Sequence, residues 1–213
     1  MELVIFGDFN CPFSALASAR ADRLEATGAV TIDFRAVEHD PALPAGGAPV
    51  TGERAAHLAY ELDHVRGLVR PDEVFSLRLP AILPNTAAMI AEYAATAPDL
   101  RPILRRRWFR AIWHGGPAAL GSAPFAGNGP GGSPSAVPAV RWRTEWQSLG
   151  TEVVPVLVLP DVTVHPGLDA LEWLASAWPP PGASDGGEGP CLAPHLSEKD
   201  LSIPRLGPPG FDA

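Results

Sequence analysis

The chain has 213 residues, of which 46% are hydrophobic and 19% charged, so it is long enough to bury a substantial core and has the composition of a folded globular protein. Its formal net charge of -8 argues against a nucleic-acid partner and against docking on an anionic membrane, since both require a basic face. Apolar runs such as residues 153–159 are far shorter than a bilayer span, and no signal-peptide pattern is recognisable, which together predict a cytoplasmic protein.

Cysteine and histidine usage predicts neither a disulfide framework nor a metal site. The two cysteines, Cys11 and Cys191, lie 180 positions apart in the sequence, unlike the dense spacing of disulfide-stabilised domains. Among the histidines, His57 and His64 are seven apart on one predicted helix, and two helical turns separate them too widely to share a metal unaided. We therefore expect no metal and no tightly bound cofactor.

The first forty residues predict a strand, a helix and a second strand. Residues 3–6 form a continuous apolar run, which is typical of a strand buried on both faces. A helix is predicted over residues 12–27, with Pro12 at its first position and Gly28 just past its end. Residues 30–37 alternate between apolar and polar, as strands do. A helix that connects two strands in this way predicts a parallel pair.

The middle of the chain is predicted to be helical, following a Pro- and Gly-rich connection over residues 38–50. Three helices are expected, at residues 53–69, 86–95 and 100–114, with Asn85 as the N-cap of the second. The third should bury Ile103, Leu104, Trp108 and Ile112. Its three consecutive arginines at 105–107 are interpreted as a solvated face of an acidic protein and not as a nucleic-acid site.

The second half predicts a linker, a strand pair, a closing helix and a tail. Residues 121–138 contain five Gly and four Pro, a composition typical of a flexible linker. A short helix at 141–149 should precede an antiparallel hairpin of residues 153–159 and 162–164, and then a helix at 168–177. Residues 179–213 contain eight Pro and six Gly and are expected to be an extended or disordered tail.

This order of elements predicts an α/β protein with a thioredoxin-like fold. A β-α-β half and a β-β-α half are separated by a helical insertion of about residues 50–120, and the predicted domain covers residues 1–178. Cys11 is then the N-cap of the first helix, where unpaired backbone N–H groups and the positive end of the helix dipole favour a thiolate. Such positions lower a thiol pKa from about 8.5 to roughly 3.5–7.5, and the thiolate is the form that attacks disulfides.

Four sequence segments resemble the DsbA-like branch of the thioredoxin superfamily, which includes FrnE-type dithiol oxidoreductases and the 2-hydroxychromene-2-carboxylate isomerases. The segment Asp-Phe-Asn-Cys-Pro-Phe-Ser at residues 8–14 resembles the active-site segment, which usually reads Cys-Pro-x-Cys. The other matching segments are residues 83–86 (Leu-Pro-Asn-Thr), 108–113 (Trp-Phe-Arg-Ala-Ile-Trp) and 153–158 (Val-Val-Pro-Val-Leu-Val).

The resemblance implies a site that joins the two halves of the fold. It implies a cis peptide bond before Pro155, in a loop that faces Cys11, with the backbone of Val154 pairing with an extended substrate. Independently of the resemblance, Pro155 lies in the path of a predicted strand. A proline there removes one hydrogen bond of the sheet, so a special backbone arrangement is expected at this position. Substrate-binding residues implied in this way are Pro12, Phe13, Asn85, Val154 and Pro155.

Ser14 stands where a dithiol enzyme has its resolving cysteine, so an intramolecular release by residue 14 is excluded. Three alternatives remain open. An external thiol resolves a mixed disulfide on Cys11, or Cys191 resolves it, or Ser14 itself stabilises the sulfur of bound glutathione, as the resemblance to the isomerases and to kappa-class glutathione transferases implies.

These observations predict a thiol-disulfide oxidoreductase or isomerase with Cys11 as nucleophile and Ser14 stabilising sulfur charge. The expected partner is a thiol or disulfide substrate, either a protein or a small molecule, with glutathione or another small thiol as co-substrate. The two alternatives are a glutathione-dependent isomerase or transferase that uses Ser14, and a non-catalytic binding protein on a degraded thioredoxin fold.

Overall fold

The central sheet begins with the predicted β-α-β unit. The structure is a computed structural model, and it describes residues 1–114 and 137–178. Strands β1 (Glu2–Gly7) and β2 (Thr31–Ala36) are parallel, with Glu2 opposite Thr31 and Gly7 opposite Ala36. Helix α1 (Pro12–Glu25) connects them. The predicted parallel pair and its crossover helix are confirmed.

The second half of the chain completes the sheet on the other side of β1. Strand β5 (Val156–Val158) is antiparallel to β1, with Val156 opposite Phe6, and β6 (Val164–Pro166) is antiparallel to β5. The resulting strand order is β2-β1-β5-β6. The last helix of the described residues, Leu168–Ser176, packs against α1.

The helical insertion separates these halves, as predicted. It contains α2 (Gly52–Leu68), α3 (Ala87–Ala95) and α4 (Arg101–Trp113), and α5 (Val137–Ser148) follows it; we number the last helix, Leu168–Ser176, α6. The insertion also contains a small antiparallel sheet that the sequence did not predict, made of β3 (Ala48–Pro49) and β4 (Ile82–Leu83). All the described residues belong to one compact unit, Met1–Pro181.

The core lies on both faces of the sheet and continues into the insertion. Its aromatic centre is formed by Phe9, Phe34, Tyr93 and Phe109, whose rings meet mostly edge to face at centroid distances of 5.2–6.5 Å. Such arrangements add about 0.5–1.5 kcal/mol per pair beyond the area that they bury. This cluster attaches the insertion to the end of β1, immediately before Cys11.

Helix α4 buries Trp108 and Ile112, as predicted, but differs from the prediction at two other positions. Ile103 is 59% exposed, whereas Arg105 is 1% exposed. The Arg105 guanidinium contacts the carboxylate of Asp22 and stacks over the ring of Phe34 at 5.2 Å. The expectation that the three arginines form a solvated face is therefore wrong for Arg105, because an acid on α1 and an aromatic ring on β2 compensate its burial.

Two further boundaries differ from the prediction. The first hairpin strand is β5, which is three residues long and begins only after Pro155, since a proline cannot donate a hydrogen bond to the sheet. Residues 137 and 138, which the composition assigns to the linker, form the start of α5. The rest of that linker, the tail at 179–213 and Cys191 lie outside the described residues. Within the described residues no helix is both long and apolar enough to cross a bilayer.

Candidate active site

Cys11 is the N-cap residue of α1, as predicted. Its backbone is extended, with φ -95° and ψ 120°, and its sulfur accepts a hydrogen bond from the backbone N–H of Ser14 at 3.4 Å. Pro12 occupies the first helical turn, where its missing N–H costs nothing. The side chain of Cys11 is half-buried and is a free thiol, so its sulfur lies at the boundary between the core and the solvent.

The segment before β5 lies against this sulfur. The peptide bond between Val154 and Pro155 is cis, and the sulfur of Cys11 is 3.6 Å from the carbonyl oxygen of Val154. The antiparallel pairing of β5 with β1 places this segment beside the loop that carries Cys11. Two hydrogen bonds hold it in place, from Gly167 N–H to the Pro155 carbonyl at 2.7 Å and from the Trp146 indole to the Val153 carbonyl at 3.1 Å.

Ser14 is fully buried beneath the sulfur. Its hydroxyl oxygen accepts a hydrogen bond from the backbone N–H of Asp8 at 3.3 Å. Its backbone N–H donates to the Cys11 sulfur. A residue in this position acts on the Cys11 sulfur from the protein side.

The electrostatic environment of Cys11 differs from the expectation. Burial raises the pKa of the Cys11 thiol to about 12, against the lowering contributed by the hydrogen bonds of Ser14, and the negative charges of Glu61 and Asp8 raise it further. The hydrogen bonds of Ser14 at the helix start lower the pKa, but the loss of hydration of a charged sulfur outweighs them. In the free protein Cys11 is therefore a neutral thiol, which is consistent with its donating to the Val154 carbonyl.

Phe13 and helix α2 form one wall beside the sulfur. Phe13 is half-buried, and its ring meets that of His64 edge to face at 5.5 Å. Glu61 lies three residues before His64 on the same helix, and its carboxylate is 3.4 Å from the His57 imidazole. Burial raises the pKa of Glu61. No cluster of side chains suited to a metal ion occurs in the described ranges.

Asn85 has a structural partner for each end of its amide. Its Nδ2 donates to the Leu43 carbonyl at 2.7 Å, and its Oδ1 accepts from the Ala87 N–H at 3.1 Å, while Thr86 is the N-cap position of α3. These bonds place Asn85 in the framework of the insertion. Its contact with the active-site loop is indirect, through the neighbouring Pro84.

Asn10 is a site residue that the sequence analysis did not single out. Its Nδ2 donates to the Pro84 carbonyl at 2.7 Å and so ties the residue before Cys11 to the insertion. Its Oδ1 is buried and has no hydrogen-bond partner among the described residues. An asparagine in a loop carries no periodic signal, so only the tertiary contact identifies it.

Asp8 is a second residue that sequence reasoning missed. Its carboxylate accepts hydrogen bonds from the backbone N–H groups of Asn10 at 2.9 Å and His39 at 2.8 Å, and only 3% of it is exposed. It thereby links the Cys11 loop to the segment after β2. Burial raises the pKa of Asp8 to about 6, although both hydrogen bonds oppose this effect.

The raised pKa of Asp8 predicts a loss of stability between about pH 4 and pH 6. The folded protein holds this proton more tightly than the unfolded chain, so the stabilisation is complete below the unfolded pKa of 3.8 and is lost as the pH rises through the folded value. A pKa difference of this size between the folded and unfolded states corresponds to about 3 kcal/mol. Chemical denaturation at several pH values should show this slope.

Asp8→Asn is the matched variant for that measurement. It replaces one acceptor of a backbone N–H and so lowers the stability by an amount that does not depend on pH. The slope between pH 4 and pH 6 should become flatter than in the parent protein. An unchanged slope would show that Asp8 titrates normally.

Known proteins resemble this chain in three-dimensional structure and not in sequence. No protein-family model matches the chain. No curated protein matches it significantly in sequence. The similarity that remains is found among solved structures.

Two solved structures share the architecture. A probable DsbA oxidoreductase from Streptomyces coelicolor superimposes with a TM-score of 0.58 and 18% identity, over 92% of this chain and 100% of that chain. A 2-hydroxychromene-2-carboxylate isomerase superimposes with a TM-score of 0.58 and 20% identity, over 83% of this chain and 94% of that chain. The chain thus has the DsbA-like thioredoxin fold.

Proposed function

We propose that this protein catalyses thiol-disulfide exchange through the single thiol of Cys11, with an external thiol as the resolving partner. The observation that carries the proposal is the position of a half-buried sulfur at the start of α1, 3.6 Å from the Val154 carbonyl oxygen. An extended compound lying along this segment would present its disulfide to that sulfur. The fold, shared with structures named as an oxidoreductase and an isomerase, supports an enzyme of this kind.

The exchange requires two steps because Ser14 cannot resolve the intermediate. The Cys11 thiolate attacks one sulfur of a substrate disulfide, forms a mixed disulfide with it and releases the other sulfur as a thiolate, which takes up a proton. A small thiol such as glutathione, as its thiolate, then attacks the mixed disulfide. It forms a new disulfide with the bound group and restores Cys11.

The proton of Cys11 is the energetic obstacle in this scheme. Because burial raises its pKa to about 12, the thiol must lose its proton to solvent before each attack, and only a minute fraction is ionised at neutral pH. A thiolate of high pKa is intrinsically the stronger nucleophile, with a Brønsted coefficient of about 0.4–0.5, which recovers part of the rate. We expect exchange to accelerate steeply with pH.

A second candidate function is favoured by the same raised pKa. A neutral Cys11 thiol is a hydrogen-bond donor, and it could donate to the sulfur of a bound small thiolate such as glutathione. The protein would then activate that thiolate for an isomerase or transferase reaction without forming a covalent bond to it. Cys11, and not the buried Ser14, would be the group in contact with the bound sulfur.

Intact-protein mass spectrometry after incubation with oxidised glutathione at pH 9 tests the first proposal. In a Cys191→Ser background we expect one glutathione adduct, located on Cys11 by peptide mapping and removed by excess reduced thiol. Cys11→Ser in the same background should form none. A parent protein that stays unmodified would refute the exchange proposal.

Cys11→Ser also separates the two candidates, because serine keeps a donor group and loses the nucleophile. Under the exchange proposal the variant loses all disulfide-exchange activity. Under the second candidate it still binds reduced glutathione in isothermal titration calorimetry, whereas Cys11→Ala binds it more weakly. Equal glutathione binding by Cys11→Ser and Cys11→Ala would contradict the second candidate.

A further inference from the structure

A cavity of about 440 Å³ lies between α1, α4 and the segment of residues 74–77. Small residues of α1, Ala15 and Ser18, leave the space, and Phe75, Leu77 and Phe109 form apolar walls. Its volume is within the range of about 300–1,000 Å³ that is usual for small-molecule sites. None of its lining residues belongs to the Cys11 site.

The charged side chains that line this cavity, Asp22, Arg106 and Arg110, carry a net positive charge. The Asp22 carboxylate is already shared by Arg105 and by Arg106, the latter at 3.1 Å. Arg110 lies one turn further along α4 and lines the same cavity. Within residues 1–114 and 137–178 its guanidinium has neither a hydrogen bond nor an ion pair. An exposed arginine with apolar walls beside it is suited to a carboxylate on an apolar group.

The pKa of His114, at the end of α4, responds to this positive charge. Burial lowers the pKa of His114, and the positive charges of Arg110 and Arg78 lower it further. The imidazole is therefore neutral at pH 7 and does not compete with Arg110 for an anion. It offers an additional polar edge to the cavity, which it lines.

We infer that this cavity is a binding site for a small aromatic carboxylate, with Arg110 pairing with the carboxylate and Phe75 and Phe109 contacting the ring. The bidentate geometry of a guanidinium matches a carboxylate, and the fully charged arginine loses little on binding because it remains at the protein surface. The opposing Asp22 is neutralised by two arginines, so it does not repel the ligand.

The cavity lies along the same face of α1 as the reactive thiol. Cys11, Ala15, Ser18 and Asp22 follow one another at helical spacings of four, three and four residues. The rise from Cys11 to Ala15 is about 6 Å. A bound carboxylate would therefore sit beside the helix whose N-terminus carries the thiol, whether or not Cys11 takes part in exchange.

Titration of the full-length protein with 2-naphthoate, followed by NMR or calorimetry, tests the inference. We expect saturable binding with half-saturation at about 1 mM or below. Arg110→Gln should weaken it by about tenfold or more, which is the usual effect of losing a charge-assisted hydrogen bond. Ser18→Leu should abolish binding by filling the cavity, and thermal unfolding should verify that each variant is folded.

Two matched controls make the result specific. Arg107→Gln removes a neighbouring exposed charge of α4 that does not line the cavity, and its affinity should equal that of the parent protein. Naphthalene-2-carboxamide has the same rings without the charge. The parent protein should bind it about tenfold more weakly than 2-naphthoate, whereas Arg110→Gln should bind the two compounds with equal affinity. The inference is overturned by non-saturable binding, by equal losses in Arg107→Gln and Arg110→Gln, or by equal affinities for carboxylate and carboxamide. None of these outcomes depends on disulfide exchange.

Discussion

Alkylation of Cys11 by iodoacetamide should become about tenfold faster with each pH unit between pH 7 and pH 10, without a plateau. The reason is that only the thiolate reacts and that burial, with the nearby charges of Glu61 and Asp8, raises the pKa of Cys11 to about 12. The rate should therefore rise by about three orders of magnitude over this range. The measurement is the pH dependence of the alkylation rate constant in a Cys191→Ser background, read by intact mass.

The Cys11→Ser variant provides the blank for this experiment, because it lacks the only remaining thiol. Ser14→Ala removes a hydroxyl whose hydrogen bond partly offsets the effect of burial on the pKa of Cys11, so its alkylation at a given pH should be slower than that of the parent. A rate that reaches a plateau near neutral pH would mean that the helix N-terminus dominates the pKa after all. That outcome would contradict a thiol that is neutral in the free protein.

Arg20→Ala should lower the free energy of unfolding by about 3–5 kcal/mol, because it leaves buried partners without their counter-charge. The Arg20 guanidinium, whose side chain is 4% exposed, bonds both carboxylate oxygens of Glu73 at 2.7 and 2.9 Å. It also donates to the backbone carbonyls of Leu171 at 2.8 Å and Leu68 at 2.6 Å. One side chain thus joins α1 to α2, to α6 and to the loop after α2. Urea denaturation would measure the loss.

A matched arginine shows whether burial is the cause. Arg66 pairs with Asp63 on the surface of α2, with side chains 58% and 72% exposed. Its replacement by alanine should change the free energy of unfolding by no more than about 0.5 kcal/mol. If Arg20→Ala and Arg66→Ala had similar small effects, the buried network would contribute no more than a surface pair. Arg20→Met would separate charge from packing, since it keeps the aliphatic stem.

Local patterns were sufficient for the framework around the thiol. The apolar run at residues 3–6, the proline after Cys11 and the alternation at residues 30–37 each arise from interactions within a few residues, and all three predictions are confirmed. The same holds for the N-cap position of Cys11. Backbone geometry at a helix start depends on neighbouring residues, so the sequence carries it directly.

Burial of charge was not predictable in the same way. Arg105 and Ile103 are two positions apart on α4, and hydrophobicity alone predicts that Ile103 is inside. The structure reverses this order because Asp22 on α1 and Phe34 on β2 compensate the arginine, and both lie far away in the sequence. The short β3 and β4 strands were missed for a related reason, since two-residue strands have no periodicity to detect.

The sequence by itself determined the order of the elements, the strand-to-helix position of Cys11 and the absence of a second cysteine at residue 14. Only the tertiary structure decided the chemical state of that sulfur. It half-buries the Cys11 side chain, brings Glu61 and Asp8 near it and places the Val154 carbonyl 3.6 Å away. Order and capping follow from local backbone forces, whereas a pKa depends on the solvent excluded and the charges approached by folding. Glu61 lies 50 positions from Cys11 in the sequence, and Val154 lies 143 positions away.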